Sequence, residues 1–146
     1  MKTFTLTLAL ALATGSASAE PISPAEIVVL DGDTIRVHDR TPNVRLVGFN
    51  APETWHAACP AEQAQGDKAT QRLRELVRGG KLDLEYVVCS CPAGTQGTLA
   101  CNYGRNCGIL KSDGRDVGAI LIEEKLAVSF VCGATHCPPT PRPWCP

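Results

Sequence analysis

Eight cysteines lie between Cys59 and Cys145, all downstream of an apolar leader, and they limit what this chain can fold into more than any other feature. An even number of cysteines in a small exported chain reads as a disulfide framework, because an oxidising compartment lets such bridges persist. Zinc is the competing reading, since Cys89-Ser90-Cys91 and His136-Cys137 offer thiolate and imidazole ligands, but the paired Cys-x-x-Cys knuckles of structural zinc sites are missing. Spacing leaves the connectivity open. The expected bridges are Cys91 with Cys101, and a stapling of the tail by Cys132, Cys137 and Cys145.

The leader, residues 1–19, has a single Lys2, an apolar run from Phe4 to Ala13, and small residues ending in Ala17-Ser18-Ala19. That is the pattern of a cleavable secretory signal, and it predicts a periplasmic or secreted protein. Nothing later is long enough to cross a membrane. The remainder divides into a core domain, residues 20–132, and a Pro- and Cys-rich tail, residues 133–146, which together suit one hydrophobic core and a monomer. Losing Lys2 with the leader moves the net charge from −1 to −2. A protein that held nucleic acid mainly by neutralising phosphates would be strongly basic, so any such contact here must be local.

Residues Glu26 to Leu30 and Thr34 to Val37 are β-branched and apolar around Asp31-Gly32, which predicts a hairpin. A third strand is predicted over Asn43 to Phe49, with Val44 and Leu46 on one face and Arg45 and Val47 on the other. Asn50 to Pro60 reads as an ordered loop. From Ala61, helical spacing of Ala69, Leu73, Leu76 and Val77 predicts an amphipathic helix closed by Gly79-Gly80. A fourth strand follows over Leu82, Leu84 and Tyr86, then a bridged loop from Cys89 to Asn102, a fifth strand around Ile109 to Lys111, and a second helix from Val117 to Leu126. Phe49 and Tyr86 are expected in the core, and Trp55 either packs its loop or touches substrate. His38, His56 and His136 read as solvated or packing residues, with His56, three residues after Glu53 in the same loop, the one that could instead touch substrate. This order of elements fits a mainly β fold with α, a five-stranded antiparallel barrel of the oligonucleotide/oligosaccharide-binding (OB-fold) kind with two or three flanking helices.

Three segments carry chemistry: Asp31-Gly32-Asp33-Thr34, the run from Val44 to Thr54, and Tyr103-Gly104-Arg105. The first is by itself a polar turn, unless Asp33 faces a cleft where its oxygens could hold a hard cation and Asp31 adds negative field. Arg45 inside an apolar strand must reach water or an anion. Glu53, after Pro52, could be a solvated acid, yet a carboxylate fixed beside a phosphate can take a proton from attacking water. Arg105 alone reads as an ion-pair partner.

In this order, from about Glu26 to Phe130, the segments resemble the staphylococcal nuclease (thermonuclease) family, whose Asp-Gly-Asp-Thr hairpin, Arg-bearing strand, Pro-Glu loop, helix and Tyr-Gly-Arg recur in the same succession. Asp113-Gly114-Arg115 and the helix after it resemble that family's ending. The resemblance implies a Ca²⁺-dependent endonuclease acting on DNA and/or RNA. It implies Asp33, Asn50 and the Ala51 carbonyl as metal ligands, supported by Asp31, Glu53 as general base, Arg45 and Arg105 on the scissile phosphate, and Tyr103 at the substrate. Asn50 departs from the family's usual Asp, which predicts weaker Ca²⁺ binding. The competing readings are an OB-fold binding module without catalysis and a disulfide-stabilised interaction domain.

Overall fold

Short runs of β-branched residues punctuated by Gly, Pro and Asp set the first half of the fold, and the structure, a computed structural model that describes residues 19–146, turns each run into a short strand. The leader reading lies outside the described residues, apart from Ala19. Strand β1 (Glu20–Ile22) leads into a 3-10 turn at Pro24–Glu26, where Ser23 Oγ accepts from the Ala25 N–H and the Glu26 carboxylate accepts from the Ser23 N–H. β2 (Ile27–Val29) and β3 (Thr34–Val37) form the expected hairpin, with Ile27 opposite Val37 and Val29 opposite Ile35.

The expected third strand breaks in two. β4 (Val44–Leu46) pairs with β3, and Gly48 at φ +94° then redirects the chain so that β5 (Gly48–Asn50) leaves the main sheet. Helix α1 (Pro60–Gly79) buries Ala69, Leu73 and Val77, the apolar stripe its spacing predicts. Burial of Leu73 and of Val77 stabilises by about 1.5–3 kcal/mol each. β6 (Leu82–Val87), β7 (Asn106–Ser112) and the two-residue β8 (Arg115–Asp116) follow. α2 (Val117–Glu123), capped by the Asp116 side chain, stops three residues before the expected Leu126, and Lys125 at φ +60° turns the chain into β9 (Val128–Phe130). β9 pairs with β5 in a small second sheet.

The main sheet runs β1-β6-β7-β4-β3-β2, with β8 also on β7. It corrects the all-antiparallel expectation: β4 and β7 are parallel, because α1 and β6 form a crossover that returns the chain in the same direction. The mixed sheet forms a half-barrel. β1 takes the edge of β6 that closure onto β2 would use. Mainly β with two α-helices, the architecture is consistent with an OB-like fold. Ile35, Val44, Leu46, Phe49, Leu73 and Leu110 fill the core, and a Cβ at Gly118 would meet the Phe49 ring. Tyr86 is exposed, not in the core as expected. The eight cysteines form four disulfides, Cys59–Cys145, Cys89–Cys107, Cys91–Cys101 and Cys132–Cys137, which point to an oxidising environment. Among the described residues no helix is long and apolar enough to cross a membrane.

Candidate active site

Sheet register gathers the charged groups. Thr34 on β3 lies opposite Arg45 on β4, and Arg45 lies beside Cys107 on β7, two residues after Arg105. Neighbours on β4, Val44 and Leu46, are buried in the core, which turns Arg45 to the other face. There its Nη1 pairs with Asp33 Oδ2 at 2.6 Å and its Nη2 donates to Asn50 Oδ1 at 2.9 Å. The same guanidinium also donates to the main-chain carbonyls of Leu46 and Phe49. Asp33 is buried and accepts from the Ala51 N–H at 2.9 Å and from the Thr34 hydroxyl at 3.2 Å. Asp31 Oδ1 accepts from the Asp33 N–H, which locks the turn. Burial pushes the Asp33 carboxyl up to about 7, with Asp31 adding to the shift and Arg45 opposing it.

Arg105 faces the same cluster. Its Nη1 reaches Thr34 Oγ1 at 3.4 Å, while Nε and Nη2 donate to the carbonyl and side-chain oxygens of Asn102. Burial and the nearby Arg45 push its pKa down. Tyr103, itself at φ +58°, is 81 % exposed, and its ring centre lies 5.6 Å from the Arg105 guanidinium.

The loop that carries Glu53 is bonded to the same turn. Ala51, two residues earlier, is bonded to Asp33, and a Cβ on Gly66 of α1 would meet the carbonyls of Pro52 and Glu53 at 2.8 and 2.7 Å. That contact leaves only glycine room at position 66. The Glu53 N–H points to Glu62 Oε1 at 3.5 Å. Glu62, which the sequence reading missed, is wholly buried and accepts from the Ala58 N–H at 2.7 Å and from Arg142 Nε and Nη2 at 2.9 and 2.7 Å. Arg142 holds the Glu62 carboxyl below the usual carboxylate range. A Glu as third residue of a helix that opens on Pro60 was the available signal, because such a Glu reaches back to main-chain donors. Arg142 also donates to the His56 carbonyl, Pro141 accepts from the Asn50 side chain, and Cys145 is bonded to Cys59. The tail is thus fastened across the Glu53 loop.

A hard cation wants several oxygen ligands, charged ones above all. Asp33 and Asn50 supply the right oxygens, but the Arg45 guanidinium bonds to both and cancels the Asp33 charge. Among the described residues no three His, Cys, Asp or Glu gather around a common point. As arranged, Asp33 and Asn50 would take Ca²⁺ only if it displaced Arg45 from their oxygens.

No family model matches the chain. It is 35% identical over 106 residues to endonuclease YncB of Bacillus subtilis, an alignment that covers 70% of this chain and 46% of that protein. It is equally similar, 35% over 106 residues, to the SPbeta prophage-derived endonuclease YokF of the same organism, covering 32% of it. The chain spans less than half the length of either.

Proposed function

We propose that this chain is an exported endonuclease that hydrolyses phosphodiester bonds of DNA and/or RNA, of the staphylococcal nuclease kind. The observation that carries the reading is the convergence of Arg45 and Arg105 on the Asp33-Thr34 turn, with the Glu53 loop bonded to the same carboxylate. The similarity to two proteins named endonucleases supports a nuclease function. Arg105 takes the scissile phosphate through the guanidinium edge that points at Thr34, and Arg45 adds positive field beside it. Glu53 takes the proton of the attacking water. Tyr103 offers an exposed ring to a base. A groove of 410 Å³ next to Arg45, walled by Phe49, Phe130, Val131 and the Cys89–Cys107 disulfide, is wide and apolar enough for another.

The test is incubation of the purified protein with denatured DNA and with RNA, with added Ca²⁺ or with chelator. Fragments are expected from both polymers. The second reading, a binding module without catalysis, is favoured by one observation, the pairing of Arg45 with Asp33. Retardation of the polymer without fragments under every condition would establish it instead.

Ca²⁺ enters this proposal as a weak cofactor that must compete with Arg45. One carboxylate against one guanidinium leaves the pocket without net charge, and Asn50→Asp makes it negative. Calorimetry is expected to show Ca²⁺ binding no tighter than about 10⁻⁴–10⁻³ M in the unmodified protein and at least several-fold tighter binding in the variant. Equal affinities would remove Asn50 from the metal site.

A further inference from the structure

We propose that the cleft between Trp55 and the outer face of α1 is a nucleotide subsite, in which the Trp55 ring stacks the base beyond the scissile bond. The inference rests on the nuclease reading for the path of the strand and goes beyond it by adding a second binding site.

The cleft measures 360 Å³, within the range of about 300–1,000 Å³ seen for small-ligand sites. Leu30, Thr54 and Trp55 form one side, and Asp67, Thr70 and Arg74 of α1 the other. Leu30 runs straight into the Asp31-Gly32-Asp33 turn and Thr54 follows Glu53, so the cleft borders both acid-bearing segments. Its walls are set by close packing. A Cβ at Gly32 would meet Ala51 Cβ at 2.6 Å and Ala69 Cβ at 3.0 Å, and Gly66 admits none beside the Pro52 and Glu53 carbonyls.

Two groups in this cleft have no task in the fold. Trp55 is 86 % exposed, so it is not packing its own loop. A large aromatic ring held in water beside a catalytic loop is available for stacking, which any base accepts through its π-face. The Thr70 hydroxyl is the one buried side-chain polar atom without a hydrogen-bond partner among the described residues, although Thr70 is only 4 % exposed. Rotation of the Thr70 side chain, whose hydroxyl is buried as it stands, would bring that oxygen to a ligand hydroxyl or amine in the cleft. Asp67 and Arg74 balance in charge, so the cleft attracts through stacking and hydrogen bonds rather than through its field. That suits a protein whose net charge is −1.

The experiment measures kcat/KM of the purified protein on a thymidine p-nitrophenyl phosphodiester, which has a nucleoside on one side of the bond only, and on thymidine oligonucleotides extended on the other side. In the unmodified protein the added nucleotide is expected to raise kcat/KM by about 5- to 150-fold, the range of one stacked base. Trp55→Ala erases that gain, chiefly through KM, Trp55→Phe restores most of it, and Thr70→Val lowers it several-fold. A gain that survives Trp55→Ala overturns the subsite and leaves the nuclease reading intact. So does an equal loss on both substrates, which would make Trp55 a support of the Glu53 loop. A binding arm separates the two ideas: with Trp144→Phe, Trp55 is the remaining tryptophan, and an oligonucleotide is expected to quench its fluorescence. Quenching without cleavage keeps the subsite and ends the nuclease reading, whereas neither quenching nor cleavage ends both.

Discussion

Glu53→Gln is expected to lower kcat on denatured DNA by about 10²–10⁴-fold, the contribution of a positioned general base. The substitution keeps the size of the side chain and removes its negative charge, and with it the ability to take a proton. Little else should change, because the loop is held by other groups: the Ala51 N–H on Asp33, the Glu53 N–H toward Glu62, and the tight seat of Pro52 and Glu53 on Gly66. KM and the melting temperature are therefore expected to stay within error of the unmodified protein. Steady-state kinetics with a melting curve on the same sample checks both halves. A variant that turns over at the original rate removes Glu53 from the chemistry, and one that melts early would mean the loss is structural.

Period and turn chemistry made the local elements legible. The stripe Ala69, Leu73 and Val77 could only be a helix face, and Ile27 to Val37 around Asp31-Gly32 could only be a hairpin. What escaped was whatever depended on partners far away in the chain. A single glycine, Gly48, splits one apolar run into β4 and β5, and nothing local distinguishes it from a glycine tolerated in a strand. β1 and β9 are three-residue strands whose existence rests on β6 and β5 rather than on their own pattern. The site followed the same rule. Residue order suggested that Asp33, Arg45, Arg105 and Glu53 share a site, but not that Arg45 would close on Asp33 and Asn50. Glu62 and Arg142 lie 80 positions apart, and a buried pair at that distance leaves no trace in either segment alone.

Cys145→Ser is expected to lower stability by about 4–5 kcal/mol on the chain-entropy model, because the Cys59–Cys145 bridge spans 86 positions and restricts the unfolded chain accordingly. For a domain of this size the melting temperature falls on the order of 10–20 °C. The bridge also holds Arg142 on Glu62. Removing Arg142 alone strands a buried carboxylate, and Arg142→Ala is expected to cost about 2–3 kcal/mol, below the usual cost of breaking a buried pair because the arginine is partly screened by water. The acid response separates this from a mere loss of packing. Since Arg142 depresses the Glu62 pKa, the pair's contribution is complete above the unfolded value of 4.5 and disappears as pH falls through the lower folded one. Without Arg142 the largest of the influences that lower this carboxyl is gone, and acid unfolding moves to higher pH. Urea unfolding of both proteins between about pH 3 and 7 reads the shift directly, and superimposable acid limbs would show that the tail does not hold Glu62 in its charged form. Because the Glu53 N–H points to the same carboxylate, a loosened tail is also expected to lower kcat at temperatures where the variant is still folded. That loss would place the tail in the machinery that positions the candidate base.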